Sequence, residues 1–98
     1  MISLQASKEK LLADCPPEKA FWLSNGIICG SIFDLADNIS KANEYVFSYH
    51  VNKDNKKNDF ADWIRHVLGD EILAERLHAI RDKELYVEVI RERIKELS

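Results

Sequence analysis

Cysteine, proline and glycine are all scarce in this chain, at two, two and three residues of 98, and each scarcity excludes something. Cys15, beside Pro16-Pro17, and Cys29, inside an apolar run, form no CxxC pair and no disulfide framework. Two reduced thiols in a cytoplasmic protein are the expectation. Three scattered glycines build no phosphate cradle, and no nucleophile elbow surrounds Ser31 or Ser48. No window approaches the roughly 18 apolar residues of a transmembrane helix, and Met1 to Lys10 contains no continuous apolar stretch, so neither a membrane span nor a secretory signal is expected.

Positive charge is also in short supply. Fourteen Lys and Arg stand against seventeen Asp and Glu, a net charge of −3, and no quarter of the chain is strongly basic. Lys53, Lys56 and Lys57 are interleaved with Asp54 and Asp59. A nucleic-acid surface concentrates cations that displace counterions from phosphate, so nucleic acid is not expected as a partner. The three histidines, His50, His66 and His78, show no HxxxH or HExxH spacing, and Asp59 with Asp62 gives fewer carboxylates than calcium prefers. No metal and no other cofactor is expected.

What is present is the balance of a soluble globular chain, 46% apolar and 32% charged. Its length suits one domain spanning 1–98, with 1–18 as a loosely attached N-terminal segment. A short helix over 5–14 must stop before Cys15-Pro16-Pro17, because a residue preceding proline disfavours the α region. Asn25-Gly26 between Ala20-Phe21-Trp22-Leu23 and Ile27-Ile28-Cys29 predicts a hairpin over about 19–30 with a type I′ turn. Ser31 caps a helix whose Ile32, Leu35, Ala36 and Ile39 form one stripe facing that hairpin.

Residues 42–51 fit both periods. Tyr45, Phe47, Tyr49 and Val51 alternate as in a strand, while Ala42, Tyr45, Val46 and Tyr49 fit a helix capped by Asn43 or Ser40, which is the preferred reading. After a polar connector over 52–57, Phe60, Trp63, Ile64, Val67 and Leu68 mark a helix that starts at Asn58 or Asp59. Gly69 and Asp70 then turn the chain into a helix running to about Ile80. A last helix from Asp82 carries Val87, Ile90, Ile94 and Leu97, flanked by a mixed-sign charged face. The fold class is therefore α+β, mainly helical, with one β-hairpin and four to five packed helices.

The order Tyr49-His50-Val51, Asn58-Asp59-Phe60-Ala61-Asp62-Trp63-Ile64, Leu68-Gly69-Asp70 and Leu73-Ala74 resembles the bacterial and archaeal family catalogued as domain of unknown function 5752. The likeness runs from about Phe21 to Ile94. The connector between His50 and Asn58 is brief here, where longer, His-containing stretches are familiar in relatives. The resemblance implies a fold and no activity.

Four residues stand out as functional candidates: His50, Asn58, Asp59 and Trp22. A histidine near a carboxylate can act as an acid–base pair, yet Asn58 and Asp59 also stand where helix caps stand, with His50 bonding into the cap. Trp63 lies within a buried stripe and reads as core. Trp22 alternates away from Phe21 and Leu23, so with Ile28 it forms an apolar spot for a partner unless Leu11-Leu12 covers it.

Three functions follow in order of preference. The first is a non-catalytic cytoplasmic protein-interaction or regulatory module. The second is a small-molecule-binding protein or enzyme using a His50, Asn58 and Asp59 pocket. The third is a nucleic-acid adaptor using the 58–80 helix pair, which the acidic Asp70-Glu71 start of its second helix disfavours. The C-terminal stripe leaves a monomer and a homodimer through that helix both open.

Overall fold

The computed structural model describes residues 7–52 and 56–98. Strands β1 (Phe21–Trp22) and β2 (Ile28–Cys29) pair antiparallel, Phe21 opposite Cys29 and Trp22 opposite Ile28. The turn differs in type from the expected mirror-image turn. Gly26 alone in it has a positive φ, +90°, and its N–H closes a turn onto the Leu23 carbonyl at 2.9 Å. Asn25 keeps a negative φ and uses its side chain instead, accepting the Ile27 N–H at 3.0 Å.

Side-chain caps set the starts of the helices. Ser7 caps α1 (Lys8–Leu12), Ser31 caps α2 (Ile32–Lys41) and Asn43 caps α3 (Glu44–His50), each accepting an N–H of the first turn. The helix expected over 5–14 is trimmed to α1, and residues 5 and 6 lie outside the described residues. Within residues 7–18, Leu11 is buried, α1 packs on α2 and on the C-terminal helix, and the Cys15 N–H bonds the Gly30 carbonyl at 2.7 Å.

After α3 the structure adds a second hairpin where a polar connector was expected. Strand β3 (Val51–Asn52) pairs antiparallel with β4 (Lys57–Asn58), while residues 53–55, Lys53 and Asp54 among them, lie outside the described residues. The buried Val51 ends the Tyr45-to-Val51 alternation, so the ambiguous segment is helix first and strand for its last residue.

Helix α4 (Asp59–Trp63) passes into one π-helical turn over Ile64–Leu68. The Ile64 carbonyl accepts both the Gly69 and Asp70 N–H groups, and Gly69 takes the left-handed φ of +85° that the corner requires. Asp70 then caps α5 (Glu71–Leu77), and Asp82 caps α6 (Lys83–Leu97). Helix α5 ends at Leu77, short of the expected Ile80.

The stripe of α2 is used differently from the expectation. It meets β2, but its most extensive partner is α6, whose Tyr86, Val87, Ile90 and Leu97 are buried. Lys83 fastens the pair by donating to the Ser40 and Ala42 carbonyls at 3.1 and 2.8 Å, at the C-terminal end of α2. The C-terminal stripe is thus occupied within the chain, and a homodimer through it has to displace α2.

One charged residue joins that buried face. Arg93 grips Asp70 through two bonds of 2.9 and 3.2 Å, rather than standing in a solvated mixed-sign face. Tyr86, Ile90, Arg93 and Leu97 share one side of α6 at helical spacing, so the position was readable from the period and misread from the residue type.

Both thiols are free. Burial pushes the Cys29 thiol up to about 11 from 9.0, and it is fully buried against α2. A thiol reagent at neutral pH is therefore expected to label Cys15 slowly and Cys29 only after unfolding. Because the folded state holds the Cys29 proton more tightly than the unfolded chain does, its contribution to stability is intact below pH 9 and lost as the pH rises through about 11. Comparing alkaline melts of the native protein and Cys29→Ala checks the sign: the native protein should lose more stability over that window.

Candidate functional site

His50 ends α3 with only 4% of its surface exposed, enclosed by the rings of Phe21 and Phe60 at centroid distances of 5.0 and 5.1 Å. Its Nε2 accepts the backbone N–H of Ser24 at 3.0 Å. A backbone amide can only donate, so Nε2 carries no proton and Nδ1 does. Nδ1 then donates to Asp59 Oδ2 at 3.0 Å, and Lys57 Nζ lies 3.3 Å from the same oxygen. The imidazole joins the tip of the first hairpin to the start of α4.

This is the histidine–carboxylate geometry of a general base with one difference: the nitrogen that would receive a proton is already occupied by a main-chain donor. Turnover at His50 would need the Ser24 turn to move away first.

Asn58 serves another purpose although it precedes Asp59 in sequence. Its Oδ1 accepts both the Ala61 N–H at 3.3 Å and the hydroxyl of the fully buried Tyr86. Its Nδ2 donates to the Leu77 carbonyl at 3.0 Å. Asn58 is the N-cap of α4 and also ties β4 to the end of α5 and to α6. Burial pushes the Tyr86 phenol far above its ordinary range, which keeps it a neutral donor to Asn58. Asn58→Ala is expected to cost about 2–4 kcal/mol, combining a lost cap with an unpaired buried hydroxyl. Asn58→Ser should recover the cap alone, and Asp59→Ala should cost about 1–2 kcal/mol by leaving the buried His50 Nδ1–H without its acceptor; urea unfolding of the three variants measures the order.

The structure therefore brings His50 and Asp59 together and turns Asn58 the other way. The cleft that Asn58 does border, with Lys56, Lys57, Asp62, Arg65, His78 and Arg81, has three of its four Lys and Arg side chains engaged. Arg65 pairs with Glu71 and Glu75 at 3.0 and 2.8 Å, Lys57 with Asp59, and Arg81 with the His78 and Ile80 carbonyls. Among the described residues no three His, Cys, Asp or Glu side chains converge to hold a metal ion.

Trp22 lies on the opposite face of the first hairpin. It is 64% exposed and its cross-strand neighbour Ile28 is 50% exposed, while Phe21, Leu23 and Cys29 point into the core. Leu11 and Leu12 pack into the core and leave Trp22 uncovered. Beside the hairpin runs a groove of about 490 Å³ lined by Cys15, Pro17, Ala20, Trp22 and Ile28, with Asp14 and Asp34 also along it. Alternation in the strand pointed to Trp22; nothing in the sequence placed the Asp14-to-Ala20 segment against it.

Over residues 22–97 the sequence matches the family described as Family of unknown function (DUF5752). The chain belongs to that family. No curated protein and no solved structure matches it. The matched span runs from Trp22 in β1 through α2 to α6 and includes the second hairpin, His50, Asn58, Asp59 and Trp22. The other wall of the Trp22 groove, Asp14 to Ala20, precedes it.

Proposed function

We infer that this member of the family is a non-catalytic protein-interaction module of the cytoplasm, acting as a monomer and engaging its partner through the Trp22 face of the first hairpin. The observation that carries this reading is the exposure of Trp22 beside Ile28, a paired apolar surface that Leu11 and Leu12, packed into the core, leave open. Three further features support it. Both ring nitrogens of His50 are held in structural bonds, which counts against the pocket reading. The C-terminal stripe is spent on the chain's own core. Two unpaired thiols suit a reducing compartment.

The test is site-specific photo-crosslinking in the native cell, with the photoreactive residue at position 28 and, as control, at Tyr45, the most exposed aromatic at 87%. A discrete adduct from position 28 that disappears in Trp22→Ser is expected. No adduct at 28, or one indifferent to Trp22, overturns the reading.

A further inference from the structure

The groove beside the first hairpin has a chemical signature in addition to its apolar floor. Trp22, Ile28, Ala20, Pro17 and the half-buried Cys15 form the floor, and Asp14 and Asp34 flank it. Neither carboxylate has a cation within ion-pair distance among the described residues; Asp34 Oδ2 accepts only the Gly30 N–H, at 3.2 Å. Other surface carboxylates are paired, Glu71 and Glu75 by Arg65 and Asp37 by Arg91, or stand without an ion pair among the described residues, as Glu84 and Glu88 do; what sets Asp14 and Asp34 apart is their place beside an exposed apolar floor. The Cys15 thiol reports the same local field. Burial raises its pKa first, and Asp14 and Glu18 raise it further against the opposing pull of Lys19.

We propose that the groove takes a segment of another protein in which a large apolar side chain is flanked by lysine or arginine, the apolar group seating against Trp22 and Ile28 and the cations meeting Asp14 and Asp34. The proposal rests on the interaction reading above and specifies its partner. Charge complementarity selects this occupant over the others. A second copy of the chain docked face to face would set Asp14 and Asp34 of each copy against their like. An anionic lipid surface and a nucleic-acid phosphate are repelled by the same two carboxylates. The indole face itself attracts a cation that approaches it.

The chain carries its own internal control, since its second tryptophan is buried with Nε1 donating to the Lys19 carbonyl at 2.8 Å. The two indole N–H resonances can therefore be followed separately by NMR while short synthetic peptides are added to the whole chain: leucine flanked by lysines, leucine flanked by glutamates, and serine flanked by lysines. The lysine–leucine peptide is expected to move the Trp22 resonance and leave Trp63 in place. Trp22→Ser, read by titration calorimetry because it lacks the reporting indole, should weaken that peptide about tenfold or more, as loss of a central aromatic anchor does. Asp14→Asn and Asp34→Asn should each weaken it about two- to fivefold at low salt, the effect of an exposed ion pair.

Equal binding of the glutamate–leucine peptide overturns the charge assignment and leaves the interaction reading standing. Binding of the lysine–serine peptide as tight as that of lysine–leucine overturns the apolar anchor. If no peptide moves Trp22, the proposal falls, while the interaction reading stands or falls on the crosslinking at position 28. Concentration-dependent shifts at Trp22 without any peptide, or shifts on adding phosphatidylserine vesicles, identify a second copy or a lipid surface as the occupant and likewise overturn the proposal.

Discussion

Arg93→Ala is expected to destabilise the protein by about 3–5 kcal/mol, the cost of leaving one member of a buried ion pair without its partner. Asp70 is the member left behind. Its side chain is only 5% exposed and holds three bonds at once, two from Arg93 and one from the Leu73 N–H at the start of α5. Without the guanidinium, Asp70 stays charged in an apolar setting or takes up a proton and loses acceptor strength at the cap. Arg93→Lys should recover only part of the loss, because an ammonium cannot reproduce the two-pronged contact. Chemical denaturation of Arg93→Met, Asp70→Asn and the variant carrying both measures the coupling. A double variant less stable than the native protein by the sum of the two single losses would show that the pair is not coupled.

The same network sets a pH dependence of known sign. Arg76 and Arg93 hold the Glu96 carboxyl below its ordinary range. A carboxylate whose folded pKa is depressed contributes stability that is present above its unfolded pKa and lost as the pH falls through the folded value. Arg93→Ala should therefore flatten the acid side of the stability profile as well as lower it. Glu96 lies on the surface, so its share of the acid-side loss is small.

The helices were legible in the sequence because each begins with a residue that supplies a local acceptor. Ser31, Asn58, Asp70 and Asp82 are all found capping where the apolar period starts. A cap depends on three or four neighbouring residues, and such short-range chemistry is written in the order of the chain. The second hairpin was not legible. Its strands have two residues each, and the pairing of Val51 with Asn58 is fixed by what surrounds it: His50 bonded to Asp59, and Asn58 held by Tyr86 and the end of α5. Unlike the first hairpin, the second has no Asn-Gly turn between apolar runs to announce strands so short.

The candidate residues divide along the same line. Alternation in β1 predicted that Trp22 and Phe21 face opposite ways, and they do. Proximity in sequence suggested that Asn58 and Asp59 share a pocket with His50, and there the inference was too coarse. At a helix start, adjacent residues point in directions about 100° apart, so Asp59 reaches the imidazole while Asn58 reaches Tyr86. Ser24, the second hydrogen-bond partner of His50, is 26 residues away in the chain. It bonds through its backbone, which no residue pattern announces.

Trp63→Ala is expected to cost about 3–5 kcal/mol, the range for removing a buried aromatic side chain, and to act on the first hairpin as well as on α4. The ring packs edge-on against Phe21 at 5.9 Å, and its Nε1 holds the Lys19 carbonyl at the entry to β1. Deleting it opens a cavity under the hairpin and releases the segment that leads into the Trp22 groove. Trp63→Phe should retain much of the packing and lose the bond to Lys19, so a smaller loss of about 1–2 kcal/mol is expected, since the freed carbonyl lies near the surface. Trp22→Ala should change stability by less than about 0.5 kcal/mol, as an exposed position does. Thermal and urea unfolding of the three variants gives the order directly. Equal losses at the two tryptophans would mean that Trp22 is held by the fold, and the open face assigned to the first hairpin would have to be withdrawn.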